Sequence, residues 1–162
     1  MGNNPIALGL MALLAALMIA AAISDLRSRT ISNGLNGAIA LLAVPFWFAS
    51  GLAAWPDMPI QLGAGFAVFL LFAGLFALGA MGGGDVKMIG AVMLWIPLPL
   101  FIPTLTVMAI AGGLLSGAML IHMKMRPSGQ PVEVPYGVAI AAAGLWALHQ
   151  HYLNQFQSIA ST

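Results

Sequence analysis

The amino-acid sequence predicts an all-α fold: a transmembrane helical bundle of about six spans. Hydrophobic residues make up 61% of the 162 residues and charged residues only 6%. A soluble domain usually carries about a quarter charged residues because its surface faces water. This chain has too few charged residues for a water-facing surface, so we expect its surface to face lipid.

Six apolar windows approach the length that a membrane-crossing helix needs, which is roughly 20 residues. Short loops join them, so we expect a single domain over residues 1–162. Pro5 suits the first turn of the first helix, and Ser32 or Asn33 can cap the second. A run of prolines at 97, 99 and 103 ends the fourth window early. The windows are 6–23, 35–54, 60–81, 86–100, 104–123 and 136–153.

The basic residues predict the orientation in the membrane. If the six windows cross in alternation, all five basic residues fall on one side, which the positive-inside rule makes cytoplasmic. Both termini are then outside, and the first window is a retained span because no basic residue precedes it. The four tryptophans fall in the outer halves of their windows, as an interfacial belt would. The basic residues are Arg27, Arg29, Lys87, Lys124 and Arg126, and the tryptophans are Trp47, Trp55, Trp95 and Trp146.

Composition also narrows the chemistry. The chain has no cysteine, which excludes a disulfide framework, a cysteine-ligated zinc and a thiol nucleophile. The net charge of +1 implies no nucleic-acid partner. His149 and His151, two residues apart near the C-terminus, make a poor metal site, so we expect no metal and no cofactor.

Two of the four acids are predicted to lie at membrane depth. Asp57 fits a solvated turn, and Glu133 lies in an inner loop containing Pro and Gly. Asp25 stands at the inner end of the first window and Asp85 at the inner start of the fourth, at the same level. Acids at this depth are costly and usually serve a site or pair with another group.

If the two carboxylates are adjacent, they cannot both ionise easily and would share a proton. One can then deprotonate a water while the other protonates the scissile carbonyl, which is aspartyl-protease chemistry. The helix dipole favours the anion at Asp85, at a helix N-terminus, over Asp25, near a helix C-terminus. Two plainer interpretations stay open: Asp85 caps its helix, and Asp25 pairs with Arg27 or Arg29.

The residues around Asp85 have predicted supporting roles. Gly82, Gly83 and Gly84 lack a Cβ, so the backbone can adopt conformations closed to other residues and a substrate strand can come close. Lys87 either tunes Asp85 or holds a lipid phosphate.

Three segments resemble motifs of type IV prepilin peptidases. Residues 82–85 match the GxGD motif, followed by Val-Lys as in that family. Residues 24–33, Ser-Asp-Leu-Arg-Ser-Arg-Thr-Ile-Ser-Asn, resemble the family's first aspartate motif, and Pro135-Tyr136-Gly137 resembles the start of its last span.

The resemblance implies an intramembrane aspartic endopeptidase with Asp25 and Asp85 as catalytic pair. Its substrate would be a type IV prepilin or pseudopilin precursor, cleaved of its basic leader at the cytoplasmic face of the inner membrane. The short first loop and the lack of cysteine argue against N-methyltransferase activity. The chain is similar to the short peptidases of tight-adherence (Tad/Flp) pilus systems, with archaeal preflagellin peptidases as the alternative.

Two other function classes remain possible on the sequence. An ion-coupled transporter would use Asp25 and Asp85 as ion sites, but such sites generally lie near the bilayer midplane. A non-catalytic subunit of a pilus or secretion assembly would tolerate Asp→Asn at both positions. Membrane lipid is an expected partner in every case, and the sequence leaves the oligomeric state open.

Overall fold

The computed structural model describes residues 4–125 and 134–150, and within them the fold is entirely helical. Pro5 takes the first position of the first helix, and the Oγ of Ser32 caps the second by accepting from the Leu35 N–H at 3.2 Å. Both start signals are therefore confirmed. The helices are α1 (Pro5–Ser28), α2 (Asn33–Ser50), α3 (Asp57–Ala77), α4 (Gly83–Met93), α5 (Phe101–Met125, preceded by a 3-10 turn at Leu98–Leu100) and α6 (Tyr136–Leu148).

Each predicted window corresponds to a helix, but the helices differ in length. Four are long and apolar enough to cross a membrane: α1, α2, α3 and the segment Leu98–His122. The fourth window, 86–100, is helical only as far as Met93. The 11 residues of α4 rise about 16 Å, roughly half of the hydrocarbon thickness. Helix α6 is also shorter, with 13 residues.

Helix α4 lies at the centre of the bundle. It contacts α2, α3 and α6, while α1 packs against α2 and α6, and α5 packs against α6. Val86 and every residue from Met88 to Met93 are buried. Small residues allow this close approach, because a Cβ on Gly90 would lie 2.9 Å from Phe69 and a Cβ on Gly144 would lie 3.0 Å from Val92.

The carboxyl end of α4 stops inside the bundle, where its last carbonyl groups need donors other than water. Side chains of neighbouring helices supply them. The Nε2 of Gln61 donates to the carbonyls of Met93 at 3.0 Å and Ile96 at 2.6 Å. The indole N–H of Trp47 donates to the Leu94 carbonyl at 2.8 Å. A helix too short to span can therefore end within the protein.

The predicted tryptophan belt is wrong for two of its members. Trp95 is 1% exposed, stacks on Phe46 with ring centroids 4.7 Å apart, and donates to the Ile39 carbonyl. Trp47 is also buried. Both indoles pair with backbone carbonyls inside the bundle, whereas Trp55 is 80% exposed. Trp47 is held inside by the carbonyl at the end of α4, and Trp95 is held by its stacking on Phe46 and its bond to α2.

The outer surface of the bundle carries large apolar side chains on every long helix. A water-soluble protein rarely exposes such continuous apolar area, whereas lipid accepts it without cost. This surface and the four long apolar helices fit a membrane protein. Examples at more than half exposure are Ile6, Leu41, Phe48, Leu71, Ile102 and Leu114.

Replacing Gln61 with Met keeps the length of the side chain and removes its donors. The Ile96 carbonyl loses its side-chain partner, at a cost of about 1–3 kcal/mol, while the Met93 carbonyl keeps the N–H of Ile96 at 3.3 Å. We expect the free energy of unfolding, measured by SDS titration in mixed micelles, to fall by about 1–3 kcal/mol. Thr106→Val is the control, since the exposed Thr106 hydroxyl bonds only within α5. A Gln61→Met effect as small as that of the control would contradict the capping role.

Candidate functional site

Asp25 lies in the last turn of α1, at the point where the helix ends. Arg29 adopts a left-handed conformation (φ 54°), and its N–H caps the Asp25 carbonyl at 2.9 Å. The Ser24 hydroxyl donates to the Thr30 carbonyl at 2.8 Å, which fixes the turn after the helix. The Asp25 side chain is 4% exposed and points into the bundle, where its Oδ2 accepts the backbone N–H of Gly137 at 2.8 Å.

Asp85 is the third residue of α4, whose N-cap is Gly82. Its carboxyl group is partly buried and interacts with the backbone N–H of Gly82, as an acid at the third position of a helix often does. The plainer interpretation of Asp85 as a helix-capping residue thus describes a real contact. The same carboxyl group also interacts with the N–H of Gly137 and, electrostatically, with Asp25.

The two carboxylates therefore lie close together beside the N-terminal turn of α6, where Asp25 accepts the Gly137 N–H and Asp85 interacts with both Asp25 and Gly137. The sequence put Asp25 and Asp85 at the same depth, and the structure makes them neighbours, joined by the N-terminal turn of α6. Sequence reasoning did not assign Gly137 to the site, although the Pro135-Tyr136-Gly137 motif was the available signal.

Gly137 has no room for a side chain. A Cβ at this position would lie 2.8 Å from Asp25 Oδ2 and 2.8 Å from Ile31 Cδ1. Ile31 follows the turn after α1, is buried, and also packs on Gly84, where a Cβ would lie 3.4 Å from its backbone nitrogen. One isoleucine thus packs on α4 and α6 beside the two carboxylates. This contact gives the isoleucine of the first motif a structural role.

The explanation offered for the three glycines is partly wrong. Gly82 is extended (φ −71°, ψ 143°), Gly83 and Gly84 are helical, and none of them has a positive φ. Their backbone conformation is therefore open to any residue. Close approach is what they provide, because a Cβ on Gly82 would lie 2.9 Å from Asp85 Oδ2 and one on Gly83 would lie 3.3 Å from the Phe76 ring.

Lys87 binds away from the carboxylates. Its Nζ donates to Asn33 Oδ1 at 2.8 Å, which links the two sequence motifs directly. Two residues along a helix correspond to about 200° of rotation, so Lys87 and Asp85 lie on opposite sides of α4. Asn36, one turn after Asn33, donates from Nδ2 to the Gly84 carbonyl at 3.0 Å and fixes the first turn of α4 to α2.

Comparison with known protein families agrees with this arrangement. A sequence model of the type IV leader peptidase family matches residues 12–117, about two thirds of the chain. The chain belongs to the type IV leader peptidase family. Neither the curated proteins nor the solved structures that were compared contain a match.

The leader peptidase match covers Asp25, the three glycines and Asp85, and it ends before α6. Gly137 lies outside the matched residues, so its place in the site is seen only in the structure. Of the two remaining acids, Asp57 is exposed in the first turn of α3, and Glu133 lies outside the described residues, as do Arg126 and His151.

The dipole argument for unequal carboxylates also needs correction. Asp25 does lie in the last turn of α1, but it accepts a hydrogen bond at the N-terminus of α6. Asp85 lies in the N-terminal turn of α4. Each carboxylate of the leader peptidase therefore faces the positive end of a helix, and the dipoles do not separate the two.

Gly137→Ala tests the close packing of Gly137 against Asp25 and Ile31. The added methyl group must displace Asp25 or Ile31 by several tenths of an ångström, which disturbs the carboxylate pair. Misplacement of about 1 Å can cost 10²-fold in rate, so we expect cleavage of a prepilin-type precursor to slow by about that factor. Gly113→Ala is the matched control, because a Cβ there meets nothing within 4 Å. Equal rates for the two variants would contradict the assignment.

Proposed function

We propose that this leader peptidase is an intramembrane aspartic endopeptidase that uses Asp25 and Asp85 as its catalytic pair. The observation that carries the proposal is that Asp25 and Asp85 lie close together beside the Gly137 N–H, which donates to Asp25. A structural ion pair would bring an acid to a base, whereas here two acids are neighbours. Two close carboxylates favour a state that holds one proton between them.

The hydrolytic step needs no group beyond these carboxyls and a water molecule. The ionised carboxylate accepts a proton from the water, whose oxygen attacks the scissile carbonyl carbon. The protonated carboxyl donates to the carbonyl oxygen, and a proton then passes to the leaving nitrogen as the C–N bond breaks. Asp25 is almost fully buried and Asp85 only partly, so water and substrate approach from the Asp85 side.

The segment before α4 supports the binding of an extended peptide. Gly82 is exposed and extended, with its missing side chain next to the Asp85 carboxyl group. A peptide bond inside a helix is protected by its own hydrogen bonds, so a protease has to act on an extended stretch. Gly82, Gly83 and Gly84 let such a stretch approach Asp85, while Lys87 supports the site by tying α4 to Asn33.

The substrate that we propose is a type IV prepilin or pseudopilin precursor, whose basic leader is removed at the cytoplasmic membrane face. The family supports a prepilin-type substrate in general. The short loop between α1 and α2 and the lack of cysteine favour a Tad/Flp-type peptidase without N-methyltransferase activity. We further propose a multi-pass inner-membrane protein with the termini outside, since the basic residues fall on one side.

Substitution of either aspartate should abolish cleavage. Asn keeps the shape of the side chain and cannot exchange a proton, so we expect the rate to fall by about 10²–10⁴-fold in Asp25→Asn and in Asp85→Asn. The measurement is cleavage of a co-expressed prepilin precursor in membranes, seen as a leader-sized mobility shift, with the amount of enzyme followed by immunoblot.

Asp57→Asn is the matched control and should cleave at the wild-type rate, since Asp57 is exposed at the start of α3. Full cleavage by Asp25→Asn or Asp85→Asn would show that the two aspartates are not a catalytic pair. An ion-coupled transporter or a non-catalytic assembly subunit would then be the better account.

A further inference from the structure

A cavity of about 450 Å³ lies on the side of α4 that faces away from the carboxylates. It lies between α2, α3 and α4 and is open on one side. Helix α4 contributes Lys87, Gly90, Ala91 and Leu94, which follow the i, i+3, i+4, i+7 spacing of a single helix face. The opposite face of α4 carries Asp85. The cavity is therefore separate from the candidate catalytic site.

The cavity is polar at one end and apolar along its length. Lys87 and Asn33 form its mouth at the level of the first turn of α4, and Leu94 lies about 10 Å further along the helix. Apart from Asn36, which donates to the Gly84 carbonyl, the walls between them are aromatic, aliphatic or glycine. An occupant must therefore carry an apolar tail and a group that binds an ammonium ion.

The lining favours a hydrocarbon chain. An apolar cavity that runs about 10 Å along α4 accepts a single acyl chain lengthwise. In a membrane protein such chains surround every outer groove, and the apolar surface of this bundle places them next to α2 and α3.

The polar residues at the mouth of the cavity determine which lipid headgroup is preferred. Lipid tails are as apolar as the cavity wall, so a tail gains little from moving into it, and the headgroup has to provide the preference. The Lys87 ammonium is exposed and carries three N–H donors, of which one bonds to Asn33 Oδ1. Two donors remain for a phosphate, and a basic residue at the membrane surface attracts anionic headgroups.

We propose that this cavity holds one acyl chain of an anionic phospholipid, with the lipid phosphate bound at Lys87 and Asn33. The bound lipid fills the gap between α2 and α3 beside α4 and lies apart from the carboxylate pair. Lipid binding requires no substrate, so this proposal and the proposed peptidase function can fail separately.

The test is native mass spectrometry of the purified full chain in mild detergent, titrated with phosphatidylglycerol. Wild type should retain one lipid. Gly37→Leu fills the cavity from α2, where a Cβ meets nothing within 4 Å, and should weaken retention at least tenfold. Lys87→Gln removes the charge and should weaken it about fivefold. Ala40→Leu, on the same wall, replaces Gly37→Leu if that variant fails to fold.

Two matched controls accompany these variants. Gly113→Leu makes the same substitution at an open position of α5, and Lys124→Gln removes an exposed charge from the end of α5. Both should retain lipid within twofold of wild type.

Equal retention by wild type and the cavity-filling variants would overturn the proposal, as would equal retention by Lys87→Gln and Lys124→Gln. If the cavity instead receives the hydrophobic segment of a precursor, Gly37→Leu will slow cleavage while lipid retention stays at the wild-type level, and the lipid assignment is then wrong.

Discussion

The fold depends on a helix that is too short for the membrane. Helix α4 rises about 16 Å and ends inside the bundle, where unpaired backbone groups cannot turn to water. The structure pairs its ends with other helices: Asn36 of α2 bonds to the first turn, and Gln61 of α3 and Trp47 of α2 bond to the carbonyls at the end. The hydrogen bonds that satisfy α4 also hold α2 and α3 around it.

The carboxylate pair follows from the same arrangement. Helix α4 begins beside the C-terminus of α1 and the N-terminus of α6. Its first turn therefore brings Asp85 close to Asp25, which faces the N-terminus of α6. The Gly137 N–H donates to Asp25, and Ile31 packs on Gly84 and Gly137. Backbone donors compensate part of the cost of placing these two acids close together.

Sequence reasoning succeeded where a signal is local and failed where it is not. Hydropathy located the helices, and the motifs around Asp25 and Asp85 identified two acids at one depth. The roles of Gln61 and Trp47 were out of reach, because each depends on where a distant helix ends. Gly137 was missed for a related reason. Its role depends on a backbone N–H, which every residue except proline has, so the residue type does not reveal it. The only trace in the sequence is that the position is a glycine.

The central claim is that the two carboxylates are neighbours in the resting protein. The chain has no native cysteine, so Asp25→Cys/Asp85→Cys introduces the only two thiols. A short bifunctional thiol reagent, applied to membranes and followed by peptide mass spectrometry, should join them in most chains, since both side chains lie beside the N-terminal turn of α6. Asp57→Cys/Asp85→Cys should not react, because Asp57 begins the long helix whose other end precedes α4. Failure of the first pair to cross-link while both cysteines accept a monofunctional reagent would contradict the account.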